Sequence, residues 1–403
     1  MNTSSTAPHN ERWLIFIIGL IQFVNILDFM MVMPLGPDFA EALGIPASHI
    51  GYVGGAYTLA AAVTGFVGAF FLDRYRRKPV LLWSLLGLIA ATGAAALAWN
   101  MPSLIAARLL AGMFGGTLSA VSLALIADCI PPERRGNAMG KVMGAFAAAS
   151  VLGVPFGLEL ARMFNWQTPF LVLSAGGVAV WFAARRILPE LPVVTTVHST
   201  GEQWQKIKSL FGDKIVLAAF GFMALGMGTG FMIIPNISAH VQLNLHYPRE
   251  KIGLLYLFGG LVSFFGMRLV GKLADKMSAV TLSSFFGVSL SIALVLGFIW
   301  YPNPLPIVPI FMLFMLSMTG RNIVGQTLSS KVPPPALRAT FMSLQSSLTH
   351  LASSLGAFVA SLMLSQQDGR LVGIENVAYV AIGGCVVIPL LYRVAERGLG
   401  KRG

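Results

Sequence analysis

Residues 131–140 read PPERRGNAMG and residues 334–343 read PPALRATFMS, so that at an offset of 203 Pro131, Pro132, Arg135 and Met139 fall on Pro334, Pro335, Arg338 and Met342. A second match has nearly the same spacing. GAFFLDRYRRK at 68–78 and VGKLADKMS at 270–278 bring Asp73 onto Asp275 at an offset of 202. Two matches at one spacing mark a tandem repeat whose unit covers about half of the 403-residue chain.

Each matched segment follows a long apolar run, and such runs recur along the whole sequence. Hydrophobic residues make up 56% of the chain and charged residues 11%, with a mean hydropathy of +0.74; a soluble domain carries about 25% charged residues. Runs of about 20 apolar residues are long enough to cross a hydrocarbon core of about 30 Å as helices, and the helix satisfies its backbone amides internally. Twelve are read: 13–34, 49–71, 79–99, 102–127, 138–164, 167–187, 215–238, 251–271, 279–301, 304–329, 339–364 and 376–394. No small-residue cleavage site follows the first, which is therefore a retained helix. The fold expected is an all-α membrane protein of twelve transmembrane helices in two parallel six-helix repeats.

The net charge of +12 is explained by its distribution. With the amino terminus cytoplasmic, 21 of the 28 Lys and Arg fall in inner loops and tails, four in outer loops, and Arg108, Arg268 and Arg321 within helices. That is the positive-inside pattern, with both termini cytoplasmic, and it requires no nucleic-acid partner. Cys129 and Cys385 lie far apart in apolar runs, so neither a disulfide nor a metal site is expected. The longest polar break, 188–214, ends in the amphipathic GEQWQKIKSLF and divides the spans six and six. The expected organisation is an N-terminal bundle at 13–187, a cytoplasmic linker at 188–214 and a C-terminal bundle at 215–395.

The segment Leu72-Asp73-Arg74-Tyr75-Arg76-Arg77-Lys78 resembles the loop signature between the second and third helices of the major facilitator superfamily, and the layout matches over essentially the whole chain. Arg108 and Gly112 at the start of the fourth span, then Asp128, Glu133 and Arg135, are similar to that family too. Ala69 and Arg76 stand where the loop signature has glycines. Gly144, Gly153, Pro155 and Gly157 in the fifth span are similar to the glycine-proline pattern of its proton-coupled drug and metabolite exporters, here written GVPFG. The resemblance implies a cytoplasmic gate at Asp73, Arg74, Arg77, Asp128, Glu133, Arg135 and Asp275, where exchange of ion-pair partners permits opening; the same charges also serve simply to orient the chain. Glycines permit close helix approach and Pro155 a bend, with ordinary tight packing the alternative.

Charges inside spans are the sharpest signal, since each costs about 2.5–3.5 kcal/mol at the bilayer centre. Asp28, Arg108 and Glu159 lie six or seven residues from the outer ends of their helices, which places all three about 9–10 Å deep. Gln22, Asn25 and Asp28 share one face of the first span, which is read as lining a cavity. A carboxylate there responds to hydration and to a nearby Arg, so Asp28 is the first candidate for a proton site, Arg108 its modulator and Glu159 the second candidate. The alternatives are a static Asp28–Arg108 pair, and pairing of Glu159 with Arg162. In the last six spans, Arg321, Asn322, Gln326, Gln345 and His350 are candidate cavity residues, with interhelical hydrogen bonding the alternative.

No glycine-rich nucleotide loop, metal cluster or convincing nucleophile–base pair is present, so neither an ATP-driven pump nor an enzyme is expected, and no cofactor. The expectation is a secondary transporter of the bacterial inner membrane that exports a small organic solute against protons, working as a monomer among membrane lipids; proton-coupled uptake and a non-transporting sensor are the alternatives. Asp73→Asn at a helix end should insert and express near wild-type levels while transport falls several-fold. Wild-type flux in a folded Asp73→Asn protein refutes the gate.

Overall fold

The computed structural model describes residues 8–71, 75–190, 200–274, 276–301, 305–334 and 337–400. Asp73, Arg74 and Asp275 lie outside them, as do the side chains of Glu133 and Arg135. Twelve long helices follow in order: α1 (Pro8–Met31), α2 (Ile50–Phe71), α3 (Arg77–Ala96), α4 (Met101–Cys129), α5 (Pro132–Met163), α6 (Thr168–Ile187), α7 (Lys214–Ile233), α8 (Ile252–Ala274), α9 (Ala279–Leu294), α10 (Ile307–Ser329), α11 (Arg338–Met363) and α12 (Ile374–Gly400). Eleven belong to segments long and apolar enough to cross a membrane. The exception is α11, of 26 residues, which carries Gln345, Ser346, Ser347, Thr349, His350, Ser353 and Ser354.

Local chemistry sets the helix ends. Asn100 caps α4 by accepting from the Ser103 amide at 2.9 Å, while the Ser103 hydroxyl accepts from the Asn100 amide at 3.2 Å, a reciprocal capping box. Asp213 caps α7 through the Ile215 amide at 2.9 Å. Glu396 reaches from α12 to accept from the Ala279 amide at 2.9 Å, stabilising the start of α9. Pro155 has no N–H and would crowd the carbonyl four residues back, and α5 meets this with a π-helical segment at Ala149–Gly153.

The tandem repeat is visible in how the helices pair. In the first six, α2 and α3 pack on α4, α3 on α6, and α1 on α5 and α6; six helices on, α8 and α9 pack on α10, α9 on α12, and α7 on α11 and α12. The two sets meet along two equivalent seams, α2 against α11 and α5 against α8. Small residues allow these approaches: a Cβ on Gly260 of α8 would stand 2.9 Å from the Ser150 carbonyl of α5, and one on Gly112 of α4 would overlap the Tyr57 carbonyl of α2. The amphipathic segment forms a helix, Thr200–Phe211, whose Ile207 and Leu210 are buried with Val216, Phe220 and Phe341. It therefore packs on the last six helices.

Away from the termini, polar contacts tie the two sets together. Asp38 accepts from Arg249 Nε at 2.7 Å and Nη2 at 2.9 Å, the Ser238 hydroxyl donates to the Pro34 carbonyl at 2.9 Å, and the Ala47 amide donates to Gln366 Oε1 at 2.8 Å. Gln366 sits on a hairpin, β1 (Ser365–Gln367) and β2 (Arg370–Val372), turned by Asp368 and Gly369 with φ of 46° and 74°, the two-residue turn that positive φ favours. Burial raises the Asp38 carboxyl above its ordinary value despite the adjacent Arg249, so this pair specifies the fit of the two sets more than it stabilises it. On the side of the termini, a cavity of about 360 Å³ opens between α1 and α5, lined by Arg12, Phe16, Leu20, Phe23, Lys141 and Ala148 among others. Arg249→Gln should shift the protein toward opening at the Asp38 side by about 1 kcal/mol, roughly fivefold in population. Spin labels at the exposed Glu41 and Glu250 positions report it as a longer-distance component; an unchanged distribution contradicts it.

Candidate functional site

The charges in α1 and α4 meet. Arg108 Nη1 donates to Asp28 Oδ1 at 3.0 Å and Oδ2 at 2.9 Å, and Nη2 reaches the Asp28 carbonyl at 3.4 Å. The side chains are 0% and 1% exposed, so neither charge could be held there without the other. The Arg108 guanidinium lies over the Tyr57 ring, 4.9 Å from its centroid, a cation–π contact that further offsets its burial. Arg108 Nε, also buried, has no acceptor among the described residues.

A third helix completes the site. The Thr92 hydroxyl of α3 lies 2.8 Å from Asp28 Oδ1 and 2.8 Å from the Leu88 carbonyl. It has a single proton and two lone pairs. When Asp28 is ionised, Thr92 donates to it; when Asp28 carries a proton on Oδ1, it donates to Thr92, which then turns its own proton to Leu88. The Thr92 hydroxyl can thus serve an ionised or a protonated Asp28 by rotation of one O–H bond, without movement of a helix.

Gln22 and Asn25 are placed otherwise than as cavity lining. The Tyr57 hydroxyl donates to Asn25 Oδ1 at 3.0 Å, Asn25 Nδ2 donates to Ser119 Oγ at 2.8 Å, and Ser119 donates to Gln22 Oε1 at 3.3 Å. This polar face is turned against α2 and α4, where hydrogen bonds meet its needs, and the face toward the cavity is the apolar one of Ile15, Phe16, Leu20 and Phe23. Glu159 is not with Asp28: it accepts from Arg162 Nε at 2.8 Å, and the two side chains are 49% and 41% exposed. One turn of helix brings these two together whatever the tertiary fold. Of the α5 glycines, Gly153 and Gly157 admit Leu27 and Met31 of α1 against their backbone, whereas a Cβ on Gly144 would meet nothing within 4 Å.

On the side of the termini, Arg77 Nε at the start of α3 pairs with Asp128 Oδ2 at the end of α4 at 3.2 Å, and Arg134 pairs with Glu11 at 2.9 Å. In the last six helices, Gln345 is buried, accepts from Ser329 Oγ and reaches Gln326 at 3.5 Å. Asn322 and Gln326 are exposed and His350 half-buried. Arg321 is 5% exposed, with Nη2 donating to the Gly226 carbonyl of α7 at 2.6 Å. Arg268 is exposed and covers the Phe264 ring at 4.9 Å.

Twelve helices in two equivalent sets around a paired intramembrane charge are matched by the family model of the Major Facilitator Superfamily, over residues 18–402. The chain belongs to the Major Facilitator Superfamily. Relatives include the uncharacterized MFS-type transporter YtbD of Bacillus subtilis (strain 168), 23% identical over 93% of this chain and 90% of that one. The 3-(3-hydroxy-phenyl)propionate transporter of Escherichia coli (strain K12) is 25% identical over 98% of both chains, and the multi-drug resistance efflux pump PmrA of Streptococcus pneumoniae is 24% identical over 93% of both. Among solved structures, a bacterial homolog of the human lysosomal transporter Spinster, inward-facing and unoccupied, superposes with a TM-score of 0.75 at 15% identity over 98% of both chains. As a member of the Major Facilitator Superfamily the protein is a membrane transporter, not an enzyme.

Within this superfamily fold, Thr92, Tyr57 and Ser119 join the site although nothing in the sequence reading singled them out. Thr92 lies four residues from the end of α3, about 6 Å deep, and counting the depth of hydroxyls as well as charges would have raised it as a candidate. Asp38 and Arg249 sit in separate loops, 211 residues apart, and had no pattern to join them. Thr92→Val preserves shape and removes the hydroxyl, and should cost about 1.5–3 kcal/mol of stability, as for a hydrogen bond to a charged group, while Thr92→Ser retains most of it. Equal unfolding temperatures for the Val and Ser variants in detergent would remove Thr92 from the site.

Proposed function

We propose that this protein exports a small organic solute in exchange for protons, by alternating access, in the cytoplasmic membrane of a bacterial cell. The observation that carries the reading is the buried Asp28–Arg108 pair with its Thr92 hydroxyl, which can donate to the carboxylate or accept from the carboxylic acid. Proton exchange takes place at this pair: Arg108 favours the ionised Asp28, burial the neutral one, and a change in local hydration as the helices rock shifts the balance. The basic loops support an orientation with both termini in the cytoplasm, so that the state described is closed outward at Asp38–Arg249 and open inward between α1 and α5. Bundles 13–187 and 215–395, joined by the 188–214 linker, rock about the α2–α11 and α5–α8 seams, a motion that parallel repeats permit.

The inner gate in this reading is formed by Asp73, Arg74, Arg77, Asp128, Glu133, Arg135 and Asp275, which exchange ion-pair partners as the inner side closes; in the state described Arg77 and Asp128 pair within the first six helices. Export is supported by the glycine-proline pattern of α5, where Gly153 and Gly157 seat α1 beside Asp28, and by a relative named as an efflux pump. The site lies within one chain, so the monomer suffices. Glu159, paired with the adjacent Arg162, has a structural place at the outer end of α5.

The test uses Asp28→Asn in proteoliposomes, with a solute first identified by profiling compounds retained in cells lacking the protein. Net transport driven by a pH gradient should fall at least about tenfold, because the site can no longer change charge, while gradient-independent exchange persists. Removing one partner of a purely structural pair would instead cost about 3–5 kcal/mol and lower the unfolding temperature with both kinds of flux. Full gradient-driven transport by Asp28→Asn ends the proposal.

A further inference from the structure

We propose that the transported solute is an organic anion, its acidic head held by Arg321 and its apolar body by the aromatic side chains that join the two helix sets. The proposal rests on the transport reading and names the solute class for it.

Arg321 and Arg108 are both nearly inaccessible, yet their surroundings differ. Arg108 has the Asp28 carboxylate. Among the described residues no carboxylate stands within ion-pair distance of Arg321. Its contacts are the Gly226 carbonyl at 2.6 Å, Met318 Sδ at 3.3 Å and Cys385 Sγ at 3.7 Å. One carbonyl and two sulfurs, which are weak acceptors, meet three of the five guanidinium donors and supply no negative charge. A guanidinium in the membrane interior without a counter-charge marks a ligand path by default, and its planar fork matches a carboxylate.

Arg321 lies close to the aromatic contacts between the two helix sets. Its Nη2 bonds Gly226 and lies 3.7 Å from where a Cβ on Gly230 would be, so it spans one turn of α7. The next residue of α7, Phe231, stacks on Phe29 of α1 at 5.8 Å, and Phe29 lies 5.0 Å from Tyr57. Tyr57 is the ring beneath Arg108. A cation and an aromatic surface shared by the two sets therefore sit within a turn of each other. The approach from the termini has the same character: the α1–α5 cavity is lined by Phe16, Leu20 and Phe23, and its charged residues are Arg12 and Lys141, with no acid. Among the described residues a cationic solute would find no carboxylate along this wall, while an anion with an apolar body meets basic groups and aromatic side chains.

The experiment measures thermal stabilisation of the purified full-length protein in neutral detergent at constant salt. Alkyl carboxylates from acetate to decanoate and aryl carboxylates from benzoate to 3-phenylpropionate are tested, each beside its primary amide. At least one acid should raise the unfolding temperature where its amide does not. Arg321→Gln should abolish that shift without lowering the unliganded unfolding temperature, since no ion pair is broken, and Arg321→Lys should weaken binding about tenfold because a point charge lacks the fork. The proposal is overturned if no acid stabilises the wild type, if acid and amide act alike, or if Arg321→Gln keeps the acid's shift. Binding is read without flux: acids that bind yet never cross proteoliposome membranes count against the transport reading alone, and flux restricted to neutral or cationic solutes counts against the anion site alone.

Discussion

Asp28 and Arg108 are 80 residues apart in the chain and 2.9 Å apart in space, in a region where neither charge has water. Each charge is admissible only because of the other, and the pair fixes which helices surround it. α4 must present Arg108 to α1, α3 must bring Thr92 beside them, and α2 must lay Tyr57 over the guanidinium. The same constraint explains the remaining polar residues of α1. Gln22 and Asn25 bond to Ser119 and Tyr57, so that the helix is polar toward its neighbours and apolar toward the cavity.

The last six helices repeat the packing and not the charge. α7 stands where α1 stands in the first set, yet at the level of Arg321 it offers a glycine carbonyl, and the missing Cβ of Gly230 admits the Met318 side chain. A duplicated scaffold with different side chains yields one set in which charge is balanced internally and one in which it is not. The seams between the sets are built from small residues and from α11, whose serines and glutamine would be costly against lipid but are accommodated between α2 and α7. At the end away from the termini the seam is fastened by groups from three connections, α1–α2, α7–α8 and α11–α12. Contacts of that kind can be broken and remade without altering either set.

Much of this was legible in the chain itself. Lipid demands that every backbone amide be satisfied within its segment, so apolar length alone determined the helices. The two matched loop pairs determined that the helices come as a repeat, and the depth of Asp28 and Arg108 that these two would lie level; the basic residues are the ground for the orientation proposed. Even the Glu159–Arg162 pair was available, because helix periodicity alone places residues three apart side by side. What the sequence could not state is which face of one helix meets which neighbour. The direction of Gln22 and Asn25, the single proton of Thr92 shared between two acceptors, the clasp of Asp38 on Arg249 and the lack of a counter-ion at Arg321 all depend on side chains brought together from helices far apart in sequence. Periodicity and depth are properties of one segment. Pairing is a property of several, and only the tertiary structure decides it.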